Sequence, residues 1–441
     1  MIVETIKELS KYGEVLPGSR KERQVTEKVR ELLEEGSDEV TVIPTTVLAW
    51  EEKEVKVDCG VKAVALPYSK SGEGKIKVVR VRSLFDIPKA YMEAVREGAE
   101  IVAFTLNDRT LRRFVVKFGA LLQYRGAEPP VPALFMGEDP GTECYGYVKT
   151  DLREGTGYTI EATRNGKSDE FVVVSAHHDH FMSGEHDDLA GVALLRFIKS
   201  KERTLKLVSF TAEEMGCSYD TLSWGCGARS YVNGLKEYPY FIIDIDFPDE
   251  SSVLFVSPGL ENVANTTKLK VELRPQAYTN SYAFLRKGIP TLTLSPLQER
   301  PYYHSNLDIV DPREEDYLNF FASEIEKIAN RATIEENEKV NPIYREIRNV
   351  PLEARLMTLF LDLREVLKTY RMVMTSGRAR YRVFGELIGM VESYDSWVTV
   401  EELGEFEPFS GNPILYFYEY KKKLSSLVQK SSPIALNEVK T

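Results

Sequence analysis

The sequence predicts an α/β fold: a mostly parallel mixed sheet flanked by helices, with a small mixed β-rich insert domain and a mainly helical C-terminal region. Three observations carry this expectation. The runs FVVVSA (171–176), LKLVSFTA (205–212), YFIIDIDF (240–247) and TLTLSP (291–296) are short and nearly all apolar, as strands buried on both faces of a parallel sheet are. Helical patterns lie between and after them, at residues 188–199 and 311–329. The chemically distinctive side chains follow the strand runs, where the loops of a parallel sheet gather.

Taken in order, residues 1 to about 50 read as two helices and a strand. Val25, Val29, Leu32 and Leu33 recur at helical spacing after the turn at Pro17-Gly18-Ser19, and residues 40–44 (VTVIP) read as a strand. From about Val55 the rhythm changes to short β-like runs broken by Gly, Ser and Pro. The helix at 311–329 has Asp311 as its N-cap and Pro312 in its first turn, and Tyr317, Phe321, Ile325 and Ile328 as its buried stripe. Beyond about residue 340, Leu352, Leu356, Leu359, Leu363, Val366 and Tyr370 form another helical stripe. A packing appendage and a homo-oligomer surface both fit that stripe. The expected division is 1–52 with 145–338 as one discontinuous domain, 53–144 as an insert, and 339–441 as the C-terminal region.

The composition of the 441 residues, 43% hydrophobic and 28% charged, is ordinary for a globular protein. A net charge of -11 excludes the basic footprint that nucleic acid requires. No stretch approaches the roughly 18–20 apolar residues of a membrane span, and the charged N-terminus does not read as a secretory signal, so the expected location is cytoplasmic, with no membrane partner. Cys59, Cys144, Cys217 and Cys226 are too few for a disulfide scaffold. Cys217 and Cys226 could bridge one loop, but in a reducing compartment two buried thiols are the expectation.

Histidine points to the chemistry. The chain has five, and His177, His178, His180 and His186 share one short window with Asp179, Asp187 and Asp188. The fifth, His304, lies in YYHSNLD (302–308). Imidazole and carboxylate are the usual non-thiol ligands of zinc, and one carboxylate can bridge two ions about 3.5–4 Å apart. Glu213-Glu214, after a strand run, offers one acid to bind metal and one to move protons.

The motifs HHD, GEHDDLAG, TAEEMG, IDIDF and YYHSNLD, in that order, closely resemble the zinc exopeptidase family of di-zinc aminopeptidases, glutamate carboxypeptidases, glutaminyl cyclases and the transferrin receptor. The resemblance spans about residues 1–335. KIKVVRV, AVREGAEIVAF and VPALF within 53–144 resemble a protease-associated insert. The resemblance implies two zinc ions per chain, with His177 and Asp246 on one, Glu214 and His304 on the other, and Asp187 bridging. It also implies Glu213 as general base, Asp179 as the acid that orients the histidine ligand, and Tyr303 as a donor to the developing oxyanion. The implied substrate is a peptide and the implied reaction is aminopeptidase hydrolysis. A carboxypeptidase using Arg229, Arg286 or Arg300, a single-zinc cyclase and a non-catalytic binding protein are the rival readings.

Two departures from the family pattern stand out. The stretch after Glu214 is long and holds Cys217, Trp224 and Cys226, and Asp244 stands where Asn is common. The family's Ser-Asp-x-x-x-Phe motif is matched only loosely, by Thr279-Asn280 before Phe284. His178, His180 and His186 match no ligand position and are expected to line the loops. Asp188 is expected to cap the following helix, Gly191 to allow close packing, and Asp308 to fix His304.

Overall fold

The computed structural model describes residues 1–116, 129, 131–217, 224–257, 260–273, 276, 278–285 and 289–334. The C-terminal region 339–441, with its stripe from Leu352 to Tyr370, lies outside the described residues, as does Arg286.

Helix α1 (Ile2–Ser10) buries Ile2, Val3, Ile6 and Leu9, and α2 (Arg20–Glu34) buries Val25, Val29, Leu32 and Leu33. Ser19 caps α2 by accepting from the Glu22 amide at 3.0 Å. The chain then enters β1 (Glu39–Val57), which pairs antiparallel along its length with β6 (Tyr145–Arg164).

Strands β7 (Ser168–His177), β8 (Arg203–Phe210), β9 (Ile242–Ile245) and β12 (Thr291–Pro296) form at the four apolar runs, with β8 and β9 ending before their runs do. They lie in the order β8-β7-β9-β12, every pair parallel. Two cores explain why those runs do not alternate with polar residues. Val172 and Val174 of β7 face one core, shared with α1, α2, α4 (Ala190–Phe197) and α7 (Glu315–Arg331). Val173 faces a second, shared with α5 (Cys226–Gly234) and α6 (Ser281–Leu285). Each such side chain contributes about 1.5–3 kcal/mol when fully buried, so both sides of each strand select apolar residues. Antiparallel partners complete the mixed sheet, β6 beside β8 and β10 (Ser252–Val256) beside β12, with β11 (Val271–Glu272) at the edge.

Residues between β1 and β6 continue this sheet. β3 (Gly72–Arg80) pairs antiparallel with β6 and parallel with β4 (Ile101–Thr105), and β5 (Ala133–Met136) and β2 (Ala63–Ala65) follow. Helix α3 (Ile87–Arg96) precedes β4. Their core includes Phe181, Met215, Trp224 and Tyr282 from the main α/β body, so one apolar cluster holds the two parts together.

Three expectations need correction. Cys217 and Cys226 are disulfide-bonded, as are Cys59 and Cys144. The thiol expectation rested on a reducing compartment, whereas the fold brings the Cα atoms to 5.1 and 5.3 Å, within bridging range. The helix expected from Asp188 begins at Ala190, because residues 185–189 form a wide turn in which Asp187 and Asp188 leave helical backbone geometry. Asp311 caps a short 3-10 turn (Pro312–Glu314) that leads into α7, accepting from the Arg313 amide at 2.9 Å, so the α-helix itself begins later than expected, at Glu315. No described helix is long and apolar enough to cross a membrane.

Candidate metal centre

Every residue assigned to the site lies at or beyond the C-terminal end of a parallel strand. His177 closes β7, Glu213-Glu214 follow β8, Asp246 follows β9, and Tyr303-His304 come after β12. Asp187 reaches the same point from the turn before α4, where Asp308 accepts from its amide at 3.1 Å and the Asp187-Asp188 peptide is cis. Crevices beyond the carboxyl ends of such strands are where open α/β sheets bind ligands.

Both histidines present the same nitrogen to the centre. His177 Nδ1 lies 2.8 Å from the Asp179 carbonyl, and His304 Nδ1 lies 3.2 Å from the Arg113 carbonyl. A carbonyl only accepts, so each Nδ1 carries the hydrogen and each Nε2 offers a lone pair. His177 Nε2 lies 3.4 Å from Asp187 Oδ1 and 4.0 Å from Asp246 Oδ2. His304 Nε2 lies 3.2 Å from Asp187 Oδ2 and 3.0 Å from Glu214 Oε1. These are two donor sets, His177-Asp187-Asp246 and Asp187-Glu214-His304, and they share Asp187. Bonds of about 2.0–2.1 Å in a tetrahedron put neighbouring donors roughly 3.3 Å apart, close to this spacing.

Metals fit on a second ground. His177 Nε2, Asp187 Oδ2, Glu213 Oε1 and Glu214 Oε1 are buried without a hydrogen-bond partner. Asp179, Asp187, Asp188, Glu213, Glu214 and Asp244 are all buried as well. A desolvated carboxylate without a cation costs several kcal/mol, so such a cluster calls for divalent charge.

The protein's own charges give the same picture. Burial pushes Glu214 up to about 7 against the pull of His304, while Glu214 and Asp187 overcome burial to hold His304 at about 10. Burial raises Glu213 far above the carboxylate range, opposed by His177 and reinforced by Asp246 and Glu214. Burial disfavours the Asp187 anion too, but the His177 and His304 imidazoles beside it keep it below its usual range. Burial and the surrounding carboxylates hold the Tyr303 phenol protonated, and its ring stacks on His304 at 3.7 Å.

Asp179 lies beside the site, but its carboxylate does a different job from the one its sequence position implies. Its oxygens accept from the Glu213 and Glu214 amides at 3.0 and 3.1 Å, setting the turn that carries both acids. Its carbonyl orients His177, while Oδ1 stands 3.9 Å from Nδ1. Asp308, expected beside His304, instead accepts from His186 Nδ1 at 2.7 Å and from the His186 and Asp187 amides. His178 meets Ser209 and His180 meets the Gly13 carbonyl, so neither joins a donor set. Asp188 accepts from the His177 and Gly191 amides, and a Cβ on Gly191 would lie 2.3 Å from its carboxylate. Asp244, where Asn is common, accepts from Ser175 Oγ and the Ser281 amide, with burial raising it to about 6. Asn280 is buried with neither amide atom hydrogen-bonded.

Sequence reasoning did not find the contribution of the segment between β1 and β6. Phe85 stacks toward Tyr303 at 6.3 Å, Phe114 packs on His304 at 5.7 Å, and Arg113 supplies the carbonyl that orients it. Their position far from the motifs hides them.

A parallel α/β sheet with two buried donor sets sharing one aspartate, and a free glutamate beside them, defines a metal-dependent hydrolase centre. The peptidase family M28 model matches residues 159–326, which include every residue assigned to the site. Among solved structures, a peptidase M28 precursor from Shewanella amazonensis has TM-score 0.60 and 18% identity, covering 76% of this chain and 94% of its own. The zinc aminopeptidase of Bacillus subtilis has TM-score 0.57 and 15% identity, over 76% and 97%. An aminopeptidase from an Aneurinibacillus species has TM-score 0.51 and 16% identity, over 76% and 94%. At these identities the likeness is one of fold. No curated protein matches the chain in sequence.

Proposed function

We propose that this protein is a di-zinc exopeptidase, specifically an aminopeptidase that hydrolyses the terminal peptide bond of peptides. The observation that carries the reading is the pair of donor sets joined at Asp187, with the unpartnered Glu213 carboxylate beside them. His177 and Asp246 would hold one ion, Glu214 and His304 the other, and Asp187 both. Two zinc ions bound there would polarise the scissile carbonyl and bring the pKa of a water toward neutrality.

The protein's own groups do the rest. Glu213, with its proton affinity raised by burial, takes a proton from the attacking water and passes it to the leaving amine. Tyr303, which stays protonated, donates to the oxygen that gains charge. Asp179 keeps Glu213 and Glu214 in place through their amides.

The arginines favour an amino-terminal over a carboxy-terminal substrate. Two arginines that a carboxypeptidase could use are engaged elsewhere, Arg229 with the Trp224 carbonyl and Arg300 with Asp249.

Zinc per chain, measured with hydrolysis of an amino-acid anilide panel by wild type and Glu213→Gln, tests this. Two zincs, turnover in wild type, and a fall of about 10²–10⁴-fold in the variant with zinc retained are expected. One zinc together with cyclisation of N-terminal glutamine would shift the assignment to a cyclase. A fully loaded wild type that cleaves no anilide or peptide would sink the proposal.

A further inference from the structure

The residues that hold His304 in position do not all come from the M28 domain. Arg112, Arg113 and Phe114, on the chain leaving β4, clamp the turn that carries it. The Arg113 amide donates to the His304 carbonyl at 3.0 Å, and His304 Nδ1 donates back to the Arg113 carbonyl at 3.2 Å. Arg112 and Ser305 form an antiparallel bridge beside this pair, and Arg112 Nη2 donates to the Pro301 carbonyl at 2.8 Å. The Phe114 ring packs against the imidazole at a tilt, with centroids 5.7 Å apart. His304 needs this support because its backbone is in the left-handed region, at φ +54°, which a non-glycine residue adopts at a cost.

The clamp is itself anchored by a buried charge. The Arg113 guanidinium reaches Glu14 Oε1 at 2.6 Å, Glu52 Oε2 at 3.0 Å and the Ala65 carbonyl, and lies over the Trp50 ring at 5.4 Å. Glu14 belongs to the N-terminal part, Glu52 to β1 and Ala65 to β2, so this one side chain ties three parts of the fold together. Removing such a side chain leaves two carboxylates without their partner and frees the backbone whose carbonyl orients His304.

We propose that Arg113 is a positioning residue for one metal and not the other: docking of the segment between β1 and β6 sets the affinity of the Asp187-Glu214-His304 site while leaving the His177-Asp187-Asp246 site to the M28 domain. This rests on the di-zinc reading above. His177 is oriented from within the M28 domain, by Asp179, and among the described residues its hydrogen bonds are to Asp179 and Asp188. The two sites therefore depend on different parts of the chain. Coupling of this kind is reciprocal, so filling the His304 site must in turn tighten the docking of residues 112–114.

The test uses the full chain, dialysed against a series of buffered free zinc concentrations and analysed for zinc per chain, in wild type, Arg113→Ala and Arg113→Lys. Wild type takes up two zincs. In Arg113→Ala the first binding step is unchanged and the second weakens by about 10–100-fold, the usual effect of losing support behind a ligand, with partial recovery in Arg113→Lys. Cobalt substitution adds a readout that general destabilisation would not move, because only the absorption of the second ion added should change. Exchange of the Arg113 amide should slow as the second site fills. If Arg113→Ala does not fold, Glu52→Gln, which leaves Glu14 in place, should show the same ranking. Two equally weakened sites, or an unaltered second site, would overturn the inference while leaving the di-zinc reading intact. A wild type that never takes up a second metal would overturn both.

Discussion

At the residue scale, Tyr303 and Glu213 share one environment, and it shifts both in the same direction. Burial among acids keeps the phenol protonated, which makes it a donor, and raises the proton affinity of the glutamate, which suits it to take up a proton and pass it on. Tyr303→Phe removes the donor and keeps the ring on His304. We expect kcat to fall by about 10²–10³-fold with zinc content unchanged, the size seen when one oxyanion donor is lost. A lowered zinc content in that variant would mean that Tyr303 acts by holding His304. These residues were legible in the sequence because each follows a strand run and has the right functional group. The task of the Asp179 carboxylate was not legible, since its partners are backbone amides, which every residue carries.

At the element scale, the two disulfides close loops of very different length. Cys59–Cys144 spans 85 residues and joins the end of β1 to the chain just before β6, whereas Cys217–Cys226 spans 9 and closes the connection after Glu214. Cross-linking removes more unfolded-state entropy from the longer loop, by about 4–5 kcal/mol against about 2–3 kcal/mol in the chain-entropy model. Denaturant melts of Cys59→Ser with Cys144→Ser should therefore show the larger loss, and those of Cys217→Ser with Cys226→Ser the smaller. Thiol titration of the denatured, unreduced wild type should find no free cysteine. Free thiols in that assay, or a reversed order of stability, would contradict these assignments.

At the scale of the whole molecule, the acidic centre couples metal to stability and to pH. Without metal, the neighbouring Glu214 and Asp187 hold His304 up at about 10 and burial holds Glu214 up at about 7, against ordinary values of 6.5 and 4.5. Both proton affinities are raised on folding, so at these two groups the metal-free fold binds more protons than the unfolded chain. The stability these groups contribute is complete below 4.5 for Glu214 and 6.5 for His304, and is lost as pH rises through about 7 and about 10. Zinc replaces the protons and binds only the folded site, so the rise in Tm on adding zinc should be larger at pH 8.5 than at pH 6. Paired melting curves with zinc and with chelator check this. An equal or smaller gain at the higher pH would contradict the charge balance described for the centre.

The sequence alone determined the strand runs, their buried parallel arrangement and the residues that converge at their ends. Burial on two faces demands apolar residues along a local stretch, and metal chemistry demands particular side chains just beyond it, so both leave local marks. Tertiary structure decided which cysteines pair, which atoms Asp179 holds, that Asp308 serves His186, and that Arg113 reaches across to His304. Those contacts join residues far apart in the chain, or run through backbone groups common to all residues. No periodicity or motif records such contacts, and only the folded path of the chain brings them together.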